Sequence, residues 1–165
     1  MKITNCQVNH LNNPIGFSMD GTPVFHWITE DARGTRETES RIVVKRVDMV
    51  SGALLEAADT GWREQDSLAA PVPVALEPRT RYLWTVSVRT DAGEEAVSEE
   101  NFFETGKREE AWSGHWICTK DQEEPRHPVF TKEIRTEEGK RIASARLYIS
   151  AAGLYEAFWN GERIG

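Results

Sequence analysis

The sequence predicts an all-β protein whose larger part is a β-sandwich, and three observations carry that prediction. Residues 76–89, LEPRTRYLWTVSVR, place Tyr82, Trp84, Val86 and Val88 at every second position. Turn-forming groups such as Asn13-Pro14, Ser51-Gly52 and Asp91-Ala92-Gly93 recur between short apolar runs. No segment shows a helical period. Side chains alternate across a strand, so the 76–89 pattern gives one apolar and one mostly polar face, as in a half-buried antiparallel sheet. Seven or so short strands punctuated in this way are the signature of a sandwich.

In chain order, a polar lead-in is followed by the turn signals Asn13-Pro14 and Asp20-Gly21, with the apolar patch Ile15-Gly16-Phe17 between them. The first clear strand is 23–28, with Phe25 and Trp27 on one face and Val24, His26 and Ile28 on the other; Trp27 reads as a core residue. Residues 29–40 are polar and read as a loop feeding an extended run from about Arg36 to Val47. That run has apolar residues on both parities at Ile42-Val43-Val44, which leaves its facing open. A short strand at 54–58 precedes Thr60-Gly61-Trp62. Pro71 and Pro73 in 67–74 cannot donate to a ladder, so this segment is expected as an edge strand or crossing segment.

The central strand then begins beside Pro78 and Thr80, which suggests a corner where the Tyr82 phenol bonds back to nearby backbone. Asp91-Ala92-Gly93 turns the chain into a last strand at 96–105, with Phe102 and Phe103 on opposite faces. After the charged break Gly106–Glu110 a second unit is expected, with Trp112, Trp116 and Ile117 at its start. Its strand candidates are 129–135, 142–151 and 154–159. Asn160-Gly161 is a strong two-residue hairpin signal, with only Glu162 to Gly165 left for the return strand. The 55 residues from Ala111 onward are too few to be stable alone, which predicts that the natural protein continues.

Composition narrows the function classes. The chain has 165 residues, 39% hydrophobic and 28% charged, with a net charge of −7, which is globular rather than disordered. Residues 1–110 carry 19 acids and 12 bases, and 111–165 carry 8 of each. No basic cluster is large enough to neutralise a phosphate backbone, so nucleic acid and anionic membrane are not expected partners. No apolar run reaches signal-peptide or membrane-span length, and the chain reads as cytoplasmic. Cys6 and Cys118 are far apart and lack a CxxC context, so two reduced thiols are expected.

Catalytic chemistry finds little support. The carboxylate doublets Glu94-Glu95, Glu99-Glu100, Glu109-Glu110, Glu123-Glu124 and Glu137-Glu138 sit beside turns, and adjacent residues point apart, so they read as solvated loop charge. His10, His26, His115 and His127 lack metal-ligand spacing, no GxSxG elbow is present, and Gly-rich phosphate loops are missing. No metal or cofactor is implied.

Several pieces together resemble a known family: Asn13-Pro14-Ile15-Gly16, Val24-Phe25-His26-Trp27, Arg41-Ile42-Val43-Val44, residues 76–88, the run FFETG at 102–106, Trp112 with Trp116-Ile117, and ARLYISAAGLYEAFWNGERIG at 145–165. In this order and spacing they resemble the N-terminal region of bacterial α-L-rhamnosidases, glycoside hydrolases that release terminal rhamnose. The resemblance implies a fibronectin type III/immunoglobulin-like sandwich at 1–108. It further implies, at 109–165, the first strands of a truncated jelly-roll domain, carbohydrate-binding or similar to such domains. The family's catalytic centre is an (α/α)6 barrel far downstream, where an acid and a water-activating base invert the anomeric carbon. No catalytic residue can therefore be assigned to any position here.

The expected role is a non-catalytic scaffold, or a presenter of glycan to the catalytic domain. Its partners would be the remaining domains of the parent enzyme and rhamnose-containing glycan. Sandwiches of this type also serve as stand-alone interaction or adhesion modules, and that is the alternative. Tyr148, Tyr155, Phe158 and Trp159 are expected to fill an inter-sheet core, with Asn160 supplying the positive φ of a type I′ turn. Tyr155 or Trp159 with Asn160 would equally be suitable types for stacking on a sugar. Strands truncated near the C-terminus would leave unpaired edges and favour self-association.

Overall fold

A computed structural model describes residues 1–17, 21–119, 128–142 and 145–164. Its two compact units are Met1–His115 and Trp116–Gly165. All regular structure among the described residues is β. The first unit holds β1 (Lys2–Val8), β2 (Val24–Glu30), β3 (Glu37–Val47), β4 (Leu54–Asp59), β5 (Ala70–Pro71), β6 (Arg81–Thr90), β7 (Glu95–Val97) and β8 (Asn101–Glu104). One sheet has the order β1-β2-β5; the other runs β4-β3-β6-β7, with β8 also on β6. All these pairings are antiparallel. The unit is an immunoglobulin-like sandwich.

The alternation in 76–89 does what its period requires. Tyr82, Trp84, Val86 and Val88 are buried, while Leu83, Thr85, Ser87 and Arg89 between them are only partly covered. From the facing sheet Phe25 and Trp27 enter the same core, and Ile42 and Val44 of β3 complete it. The open question of facing in 42–44 is thus resolved, with Val43 on the outer side. Ring geometry follows quadrupole preferences: Phe25 meets Trp84 edge-on at 4.7 Å, and Tyr82 stacks on Phe103 at 5.0 Å. Burying side chains of this size stabilises a core by about 1.5–3 kcal/mol each, so the pairing of β2 with β6 across the layers dominates.

Some elements differ from expectation, each for a local reason. The polar lead-in contains β1, paired with β2 from Lys2 opposite Glu30 to Val8 opposite Phe25. Its register slips between Thr4 and Gln7, and Asn5 has φ 47°. A bulge breaks the two-residue period and hides the strand from a periodicity search. Pairing with β1 also extends β2 through Thr29 and Glu30, so the polar loop shortens from 29–40 to 31–36.

The single strand at 96–105 is two pieces, β7 and β8, both on β6. Ser98 interrupts them, its backbone N–H donating to Val86 O at 2.9 Å and its hydroxyl accepting from Val86 N at 3.1 Å. Phe103 is buried and Phe102 partly exposed, as opposite faces demand. The proline-containing segment contributes only the short edge strand β5.

Ile15-Gly16-Phe17 serves as a seam. Phe17 pairs in parallel with Thr105, Glu104 N donates to Pro14 O at 2.8 Å, and Phe102 N donates to the Asn13 side chain at 2.8 Å. Residues 13–17 therefore cover the edge of β8 that faces away from β6. Gly16 has φ 72°, and a Cβ on Gly106 would lie 3.0 Å from Gly16 O, so both positions favour glycine.

Among its described residues the second unit holds one hairpin, β9 (Ala157–Trp159) and β10 (Glu162–Ile164), in register from Trp159 opposite Glu162. Asn160 at φ 50° and Gly161 at φ 86° make the two-residue turn that the sequence signals. The expected strands at 129–135 and 142–151 do not form among the described residues, and 154–159 is strand only from Ala157. Val129, Phe130, Ile134, Leu147 and Ile149 are exposed; an apolar strand face needs a facing layer to become buried in a sheet, and none forms among the described residues of this unit. Asp20, the Glu123-Glu124 doublet, His127, part of 142–151 and Gly165 lie outside the described residues.

Candidate functional site

The sandwich offers two ends. At one, the loop 31–36 is held by two carboxylates from the turn after β6. Asp91 accepts from Thr35 N at 2.8 Å and from the Thr35 hydroxyl at 2.6 Å. Glu94 accepts from Arg33 N at 2.8 Å and Gly34 N at 3.1 Å. These hydrogen bonds hold both carboxyls below the usual carboxylate range. Glu94 thus departs from the reading as solvated loop charge: its partners lie 60 residues upstream, where adjacency in sequence gives no hint of them.

The other end is where the chain leaves the sandwich. The expected corner is there: Glu77 N donates to the Tyr82 oxygen at 2.8 Å, and that hydroxyl donates to Ala75 O at 3.4 Å. Thr105 locks the exit to the corner, its hydroxyl donating to Glu77 O at 2.6 Å and accepting from Thr80 N at 2.9 Å. Arg79 N donates to Gly106 O at 2.8 Å, and the Arg79 guanidinium pairs with Glu110 at 2.8 Å. Glu110, too, is a paired carboxylate rather than a free loop charge.

The remaining doublets stay apart. Glu95 pairs with Arg89 at 2.9 Å, Glu99 and Glu100 are exposed, and Glu137 pairs with Lys140. Among these carboxylates no two face each other across a cleft in the described contacts. Among the described residues no group of three or more His, Cys, Asp or Glu side chains could share a metal ion. His26 and His10 do meet, ring centroids 4.1 Å apart. Burial, then the neighbouring His10, pushes the His26 pKa down. Both thiols are free, and burial pushes the Cys6 pKa up.

In the second unit the aromatic residues overturn one expectation. Tyr155, Phe158 and Trp159 are more than half exposed, so they do not fill an inter-sheet core. Asn160 does supply the positive φ assigned to it. Trp112, at the end of the first unit, is also exposed, with the Lys107 ammonium 5.5 Å from its ring centroid. Such a cation–π contact orders the exit segment weakly.

A closed two-sheet core, a tyrosine corner at the start of β6 and a seam between the first segment and the last strand define an immunoglobulin-like β-sandwich domain. Residues 3–109 match the family model of the Rha78A-like, N-terminal immunoglobulin domain, and the chain belongs to that family. The resemblance to the N-terminal region of α-L-rhamnosidases is thereby borne out. Among solved structures the chain is similar to an α-L-rhamnosidase from Dictyoglumus thermophilum, with a TM-score of 0.58 and 24% identity over 73% of this chain. The match spans only 14% of that solved chain. No curated protein matches.

Proposed function

We propose that this chain is a non-catalytic N-terminal portion of an α-L-rhamnosidase that hydrolyses terminal α-L-rhamnose from glycans with inversion. The sandwich is the scaffold, and residues 109–165 supply the opening strands of a jelly-roll domain that the rest of the parent completes. The acid and base of the reaction belong to that remainder, where an inverting pair stands ~6.5–9.5 Å apart to admit a water. The match of residues 3–109 to the N-terminal domain of Rha78A-like proteins carries this reading. The similar solved structure, itself an α-L-rhamnosidase of much greater length, supports it. The exposed apolar side chains of 129–164 fit a segment that is finished by further strands.

The test compares the 165-residue chain with the full-length gene product on an aryl α-L-rhamnoside. Turnover by the full-length protein with release of the inverted sugar, and none by the chain alone, is the expected result. A full-length product inactive on every rhamnoside overturns the enzymatic reading and favours an interaction module. Activity that co-purifies with the folded 165-residue chain overturns the non-catalytic reading.

A further inference from the structure

We infer that Asn160 is a self-modification site, where the backbone nitrogen of Gly161 displaces the side-chain amide and converts residue 160 to aspartate and isoaspartate. The site is independent of the enzymatic reading. Of the six asparagines, Asn160 alone is followed by glycine. A peptide nitrogen is a poor nucleophile because its lone pair is delocalised, so the reaction runs only where approach is unhindered. Glycine leaves the approach open, and a Cβ placed on Gly161 would meet nothing within 4 Å among the described residues. Asn160 and Gly161 are both exposed to water.

The other asparagines lack these conditions. Asn13 precedes Pro14, whose nitrogen carries no proton. The Asn9 side chain accepts from Val24 N at 2.8 Å, and Asn101 donates to Glu99 O at 2.8 Å while the nitrogen after it, Phe102 N, is bonded to Asn13. Asn5 and Asn12 are followed by Cys6 and Asn13, whose side chains crowd the nitrogen. At residues 160 and 161 the turn stands outside the ladder, which starts at Trp159 opposite Glu162. Strands of three residues make that ladder weak, since a lone two-stranded hairpin is marginal in water. The turn therefore opens often enough to bring Gly161 N against Cγ of Asn160.

Hydroxide takes the proton from Gly161 N, that nitrogen bonds to Cγ, and the side-chain nitrogen takes up a proton from water and leaves as ammonia. Water then opens the cyclic imide. Cleavage of the new bond to Cγ gives aspartate; cleavage of the bond to the main-chain carbonyl carbon of residue 160 gives isoaspartate. Overall a water is consumed and an ammonia released, with no oxidant or reductant. The two products act differently on the hairpin. Aspartate tolerates the positive φ of 50° that the turn requires. Isoaspartate adds a carbon to the main chain, so a two-residue turn no longer sets Trp159 opposite Glu162.

Incubation of the 165-residue chain in mildly alkaline buffer, with its peptides read by mass spectrometry, tests this. The mass change from amide to acid is expected several-fold faster in the peptide carrying residue 160 than in any other asparagine peptide, with isoaspartate the larger product. Gly161→Ala, which crowds the nitrogen, should slow it several-fold, and Asn160→Gln, whose side chain would have to close a larger ring, should nearly abolish it. An amide that survives at residue 160 of the chain while a synthetic peptide of residues 155–165 converts overturns the inference, because the fold then protects the site. Faster conversion at another asparagine overturns it as well. In the isoaspartyl fraction the Phe158 and Arg163 amide resonances should leave their strand positions; strand positions retained there overturn the loss of the hairpin register.

Discussion

The indole N–H of Trp27 donates to Oε2 of Glu37 at 3.1 Å, and the Thr29 hydroxyl donates to Oε1 of the same carboxylate at 2.6 Å. Trp27 and Thr29 belong to the three-stranded sheet and Glu37 to the five-stranded one, so one side chain ties the two layers. Glu37→Ala strands the indole N–H in a buried position. The expected loss is about 1–3 kcal/mol in urea denaturation. Glu37→Gln keeps an acceptor for the indole and should lose less.

The Tyr82 corner makes a similar prediction at the other end. Tyr82→Phe keeps the buried ring and its stacking on Phe103 but removes the partner of Glu77 N and Ala75 O. Stability should fall by about 1–2 kcal/mol, with no change in the slope of the denaturation curve.

Gly34 is fixed by space. A Cβ there would stand 2.6 Å from both Asp91 Oδ1 and Thr90 Cβ, neither of which can yield without disturbing the loop bonds. Gly34→Ala should destabilise by roughly 1–3 kcal/mol. Loss of the Thr35 and Gly34 amide shifts characteristic of bonded N–H groups would accompany it in an NMR spectrum.

Acid should open the same loop. The Asp91 and Glu94 carboxyls titrate below their ordinary values in the folded protein because they accept backbone and side-chain hydrogen bonds. Their contribution is therefore complete above about pH 4–5, the ordinary carboxylate range, and is lost as pH falls through the lowered folded values. The Gly34 and Thr35 amide protons should move together over that window, and Asp91→Asn with Glu94→Gln should flatten the response.

His26 predicts a second, milder window. Its folded pKa is lowered, so the neutral ring is favoured on folding; the contribution is intact above about pH 6.5 and declines as pH falls. His10 faces it from the β1–β2 connection, and the charge of Asp66 acts in the opposite direction. Melting temperature should drop between about pH 7.5 and 5, and His10→Asn should make that drop shallower. A flat profile in the parent chain refutes the assignment.

How much of this was readable from residues alone depended on whether neighbours in sequence were also neighbours in space. β6 was legible because its burial follows a strict period of two. The 160–161 hairpin was legible because Asn-Gly states its own backbone geometry. β1 was not, since the bulge at Asn5 scrambles the alternation that would reveal it. The roles of Glu37, Asp91 and Glu94 were hidden because an acid near a turn looks solvated until its distant donors are placed beside it. In the second unit, the candidate strand at 129–135 has no partner among the described residues.

The seam between residues 13–17 and the end of β8 has a consequence for biosynthesis. Phe102 N reaches back 89 positions to Asn13, so the earliest part of the domain to leave the ribosome waits for one of the latest. Until β8 emerges, the strip that should cover it is a bare tether, and closure of this flank of the sandwich is a slow, long-range step. Lesions at Asn13 or Gly106 should consequently lower the yield of folded nascent chains more than their effect on the finished protein would suggest.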